Sequence, residues 1–167
     1  MLFFCLSKLK KKKRGSGNPV HDYLVDYIRS GLKSEGDWLY LSEDEFFFPE
    51  DKSVLFEHVP KFNPRYRDGN GRKLTRGIDI VGIRLANGGL PSILSYEIKT
   101  SGTNWMGIPS RSGLKTGLKQ LRDFSRFCNG SRISSHICYF GGIIPVTDLD
   151  LLLDNGNFSE FYRGLRG

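Results

Sequence analysis

Gly77-Ile78-Asp79-Ile80-Val81-Gly82-Ile83-Arg84-Leu85, then Ala86-Asn87-Gly88-Gly89, then Ser92-Ile93-Leu94-Ser95-Tyr96-Glu97-Ile98-Lys99: this stretch reads as two strands and the turn that joins them. Positions 79 and 97 are equidistant from Gly88. A turn centred there sets Asp79 opposite Glu97 on antiparallel strands, with Cβ atoms about 5 Å apart on one face. Lys99 shares that face, because strand side chains alternate. A register shift of one residue would scatter the three; a shift of two keeps them grouped.

Otherwise both strands are apolar on both faces, with Ile78, Ile80, Val81 and Ile83 on one and Ile93, Leu94 and Ile98 on the other. Two carboxylates and an ammonium in such surroundings are costly unless they pair or hold a cation. Mg²⁺ or Mn²⁺ suits two carboxylates plus a backbone carbonyl, that of Ile98, with waters completing the shell. An ion there lowers the pKa of a bound water and offsets phosphate charge, and a neighbouring lysine orients the water or steadies the transition state. The bland alternative is a chance match in which Glu97 and Lys99 form a surface salt bridge.

Outward from this hairpin, Leu114, Leu118, Leu121, Phe124 and Cys128 repeat as one face of a helix over 114–128. Residues 133–144 read as a strand closed by Pro145, and Thr147 with Asp150 resembles a capping box before a short leucine-rich helix. On the N-terminal side, Asn18-Pro19 starts a helix over 19–33, and one or two short strands fall between Trp38 and Phe48. The order α-β-β-β-α-β-α defines an α/β domain over 18–167.

The formal charge of +7 invites a nucleic-acid reading, but Lys8, Lys10, Lys11, Lys12, Lys13 and Arg14 supply six of the positive charges. Without them 19 basic residues face 18 acidic ones, so the basicity is largely that of an arm over residues 1–17. The apolar run at 2–6 is too short to span a bilayer, and no membrane is expected. Three cysteines without CxxC spacing suggest no disulfide framework or zinc site, and a cytoplasmic, reducing setting.

Gly77-Ile78-Asp79-Ile80-Val81, Tyr96-Glu97-Ile98-Lys99-Thr100 and Gln120-Leu121-Arg122-Asp123-Phe124 together resemble the PD-(D/E)xK nuclease superfamily, which includes archaeal Holliday-junction resolvases, restriction endonucleases and RecB-type nucleases. The resemblance covers residues 19–144. It implies a restriction-endonuclease-like core, a mixed central β-sheet flanked by helices in α-β-β-β-α-β order. It also implies Mg²⁺- or Mn²⁺-dependent hydrolysis of DNA, as an endonuclease. Asp79 and Glu97 would bind metal, Lys99 would assist the nucleophile, and Gln120 would lie at the edge of the site. Many relatives dimerise, so a homodimer is one arrangement it allows. Ile78 stands where the motif's name has proline. Many members also carry a glutamate on the first helix; here Asp22 and Asp26 point mostly away from the apolar face, and His21 lies at its boundary.

Lys115, Lys119, Arg122 and Arg126 form a stripe on the helix that carries Gln120. With Arg76 and the basic residues of 61–76 they are candidates for phosphate contact, or simply a solvated face. Trp105 either stacks on a base or closes the core edge. The alternative to an enzyme is a nuclease-fold module that binds nucleic acid or a partner protein without cutting.

Overall fold

The computed structural model describes residues 19–33, 37–42, 45, 78–84, 91–100, 107–128 and 132–167. The elements are α1 (Pro19–Leu32), β1 (Leu39–Ser42), β2 (Ile80–Arg84), β3 (Ser92–Ile98), α2 (Arg111–Phe127), β4 (Arg132–Tyr139), β5 (Gly142–Val146), α3 (Leu149–Leu152) and α4 (Asn155–Arg166). Among the described residues the strands form one mixed five-stranded sheet in the order β1-β2-β3-β4-β5. Only β3 and β4 run parallel; α2 supplies the crossover that a parallel pair needs. The protein is thus α/β, with helices flanking the sheet.

The sheet is buried on both faces because its central strands are apolar on both. On one face Val81, Ile83, Ile93 and Ile137 meet Leu114, Leu118, Leu121 and Phe124 of α2 and Phe158 of α4. On the other, Tyr40, Ile80, Tyr96, Ile98 and Cys138 meet Leu24 and Ile28 of α1. Each such side chain taken out of water contributes about 1.5–3 kcal/mol. The Ser110 hydroxyl starts α2 by accepting the Gly113 N–H at 3.1 Å. The leucines at 114, 118 and 121, all fully buried, then fix which face turns inward.

Three expectations need correction. Residues 133–144 are two strands, β4 and β5, turning at Phe140-Gly141, where the glycines permit a reversal that β-branched neighbours do not. Pro145 lies within β5 rather than ending a strand, which an edge strand tolerates because its outward side needs no N–H. The Thr147/Asp150 box does not form: Asp148 takes the N-cap position in left-handed conformation (φ 47°) with no side-chain cap hydrogen bond. A further helix, α4, follows α3, capped by the Asp154 carboxylate on the Asn155 N–H. The arm, the 61–76 loop and the 86–89 turn lie outside the described residues.

Candidate active site

The register of the central hairpin is Ile80↔Tyr96, Val81↔Ser95 and Gly82↔Leu94. Carried one step further it sets Asp79 against Glu97, as the symmetry about Gly88 requires. Asp79 stands just before the first residue of β2, where the ladder has run out, and its side chain takes over from the missing backbone partner: Oδ2 accepts the Ile98 N–H at 2.7 Å. In an extended strand the N–H and C=O of one residue leave on the same side. The Ile98 carbonyl therefore faces the Asp79 side of β3, whereas the next N–H, that of Lys99, turns to β4 and donates to the Cys138 carbonyl at 2.9 Å.

Glu97 is 2% exposed, which disposes of the surface-salt-bridge reading. The Lys99 ammonium donates to Glu97 Oε1 at 2.5 Å and to Gln120 Oε1 at 2.8 Å. Sheet and helix thus meet at one lysine, and Gln120 enters the site through it. The close approach depends on Gly117 of α2. A Cβ there would lie 2.7 Å from Lys99 Cε, 2.9 Å from Ile137 Cδ1 and 3.3 Å from Glu97 Cγ. Glu97 Oε2, by contrast, is buried with no hydrogen-bond partner.

Burial and the Asp79 charge push the Glu97 carboxyl up to about 8, against the pull of Lys99 and His21. Oε1 accepts from the ammonium in either protonation state, so the proton of the neutral acid belongs on Oε2. The atom that lacks a partner is the one where a cation would replace a proton.

α1 contributes His21, whose Nε2 lies 3.3 Å from Asp79 Oδ2. The hydrogen bond to Asp79 holds the imidazole above its usual pKa, against the opposing effect of burial. Asp22 is half-exposed, 3.6 Å from His21 Nδ1, and Asp26 is exposed. On the helix wheel His21 sits at the edge of the apolar stripe, where packing histidines are commonplace; only the contact with Asp79 distinguishes it. Gly117 was legible as a glycine inside an apolar helical repeat, between Leu114 and Leu118.

The donor set fits a hard divalent ion held partly by water: two carboxylates, one with an unsatisfied oxygen, and a carbonyl on the same side. Among the described residues no group of three or more His, Cys, Asp or Glu side chains is placed to hold a metal ion. Asp79 Oδ1 takes part in neither of the contacts that Oδ2 makes.

The basic stripe on α2 is largely occupied within the molecule. Lys115 donates to Asn155 of α4 at 3.1 Å, Arg126 to Asp150 at 2.8 Å, and Arg122 to its neighbour Asp123. Lys119 is exposed beside Gln120. Arg76 and Trp105 fall outside the described residues. Cys138 is a free, buried thiol pushed up to about 12 by burial and by the Asp79 and Glu97 charges, so it is not a nucleophile at neutral pH. No helix among the described residues is long and apolar enough to cross a membrane. No family model matches the chain, and no curated protein matches it in sequence.

Proposed function

We propose that the chain is a metal-dependent nuclease of the PD-(D/E)xK kind, cutting phosphodiester bonds within DNA. The observation that carries the reading is the buried, unpartnered Glu97 Oε2, on a residue that the hairpin register sets against Asp79, while Oε1 of the same carboxylate is held by Lys99. A purely structural ion pair has no reason to keep an oxygen buried and unsatisfied, since that costs about 1–3 kcal/mol or more. The α-β-β-β-α-β order through residue 139 and the Asp79/Glu97 register agree with a restriction-endonuclease-like core.

Asp79 and Glu97 would hold Mg²⁺ or Mn²⁺, with the Ile98 carbonyl as a third donor. Bound there, the ion supplies an acidified water and neutralises phosphate charge. Lys99, kept in place by Glu97 and Gln120, has an ammonium proton to offer a phosphate oxygen or the attacking water. His21 acts through Asp79: its hydrogen bond, with that of the Ile98 N–H, fixes the carboxylate's orientation. Burial of Glu97 keeps the charges in a low dielectric, where each counts for more.

Cleavage of labelled duplex, branched and single-stranded DNA with Mg²⁺ or Mn²⁺ tests this. Wild type should cut, and Glu97→Ala and Lys99→Ala should each lose at least about 100-fold in rate. A wild type that binds DNA but never cuts would instead favour a module that only binds. Substitutions that leave cutting intact would show that the chemistry lies elsewhere.

A further inference from the structure

α2 and α4 meet along a seam of cations whose two ends are built differently. Arg111 donates to the Ser159 hydroxyl at 2.5 Å and Lys115 to the Asn155 side-chain carbonyl at 3.1 Å. Arg111 Cζ and Lys115 Nζ also lie 5.4 and 5.5 Å from the centroid of the Phe158 ring. Arg111 and Arg166 each bring Cζ to 6.0 Å from that of Tyr162. The two rings stack on each other at 6.3 Å, so one aromatic bed seats three cations. Lys119, one turn beyond Lys115 on the same face of α2, is exposed. At the other end of the seam Arg126 meets the Asp150 carboxylate at 2.8 Å, and Arg122 that of Asp123 at 3.1 Å. Among the described residues, Arg111, Lys115, Lys119 and Arg166 form no ion pair with a carboxylate. A neutral acceptor fixes a cation's position and leaves its charge uncancelled. Helix stability does not explain the choice. Neither α2 nor α4 has an acid in its first turn, where the helix dipole favours one, and Arg111 stands there against the dipole.

We infer that Arg111, Lys115, Lys119 and Arg166 form a docking surface for the phosphodiester backbone of a nucleic acid. This goes beyond the nuclease reading, since it does not require that the chain cut what it binds. The cations of α2 follow one another at intervals of about 6 Å along the helix, a row suited to a ligand charged at every unit of its length. Phosphate contact of this kind positions a strand without reading its sequence. The large apolar side chains that the described residues expose include none from α2 or α4. A membrane surface would therefore find no apolar face to take up, and a protein partner no apolar centre for an interface.

The test uses the full chain and a short fluorescein-labelled DNA duplex, with anisotropy read in EDTA over a range of salt concentrations. Charges elsewhere in the chain are common to every variant, so differences from wild type report the seam. Asn155→Asp gives Lys115 a carboxylate in place of an amide of the same shape. It should weaken binding by about fivefold and make the slope of log K against log salt shallower by about one. Its melting temperature should be no lower than that of wild type, because the new acid pairs with Lys115 and suits the start of α4. Lys115→Ala should change the slope equally, while Arg126→Ala, whose charge Asp150 already meets, should change it little. Asn155→Asp binding like wild type at every salt overturns the assignment, as does an Arg126→Ala loss equal to that of Lys115→Ala. Loss of affinity matched by a lower melting temperature would make the seam structural. Phosphatidylserine vesicles that hold wild type and release Asn155→Asp, with DNA binding unmoved, would give the surface to a membrane. The expected binding changes in a chain that never cuts leave the surface standing and remove the nuclease reading. Mg²⁺-dependent cutting by an Asn155→Asp variant of unchanged affinity does the reverse.

Discussion

Ser95 and Glu97 lie two residues apart on β3, on the same face of the sheet, and both are buried. Their surroundings differ in one respect. Ser95 donates to Ser135 of β4 at 3.1 Å, a neutral pair closed between adjacent strands. Glu97 satisfies one oxygen with Lys99 and leaves the other without a partner. A buried polar group that closes its hydrogen bonds locally belongs to the fold. One that is ionisable, half-satisfied and displaced in pKa is an expense the fold does not require, which marks it as a functional candidate.

Gly117 gives the sharpest way to break the comparison, because it touches the Glu97 end of the strand and not the Ser95 end. Gly117→Ala places a methyl 2.7 Å from Lys99 Cε, the far end of a flexible side chain. The lysine should move and the fold should stay. Helix propensity favours alanine by about 1 kcal/mol, which offsets the crowding against Ile137. We expect the melting temperature to change little and cleavage to fall by about 100-fold, the usual result of misplacing a reacting group by an ångström. A variant as active as wild type would mean that the Lys99 position is not used. Wholesale unfolding would mean that the glycine serves packing first.

The Ser95–Glu97 contrast could be read only in part from the sequence. The register was legible, since turn symmetry and strand alternation are local properties, and β2 and β3 pair as Gly88 dictates. The helix expected over 114–128, which runs Arg111–Phe127, followed from periodicity, and the grouping of Gln120 with Glu97 and Lys99 from the resemblance. His21 was not assigned, because its contact with Asp79 joins residues 58 positions apart and helical spacing alone cannot report it. α4 was missed because Gly156 and Gly164 blur a repeat that Phe158, Phe161, Tyr162 and Leu165 do carry. β4 and β5 merged into one strand because both are β-branched and the turn between them is only two residues long.

pH offers a second, smaller way to separate the two positions. The Glu97 carboxyl sits at about 8 in the fold and at its ordinary value near 4.5 in the unfolded chain. Between these the folded protein keeps a proton that the unfolded chain has lost. Stability from this group is therefore greatest below pH 4.5, declines as pH rises, and levels off above 8. In EDTA, denaturant titrations should show wild type losing a few kcal/mol across that window, with Glu97→Gln free of the decline. Mg²⁺ at pH 8 should raise the melting temperature of wild type and leave Glu97→Gln unmoved, since only the ionised carboxylate gains a ligand. Identical pH profiles for the two proteins would show that Lys99 keeps Glu97 ionised throughout, and that its burial is already balanced without metal.

The Ser95–Ser135 pair should give the smallest effect, and it fixes the baseline for the others. Ser135→Ala removes an acceptor and leaves the Ser95 hydroxyl buried with one partner fewer, so stability should fall by about 1 kcal/mol. Adding Ser95→Ala should return part of that, because two small apolar groups facing each other leave nothing unsatisfied. Neither variant should alter the cleavage rate or the response to Mg²⁺, as Ser95 lies on the side of Glu97 away from Lys99 along β3 and Ser135 pairs with it from β4. If Ser135→Ala did slow cleavage without lowering stability, the division of β3 would fail. The hydroxyl pair would then have to be counted among the groups that position Glu97, and the boundary of the site would move two residues down the strand.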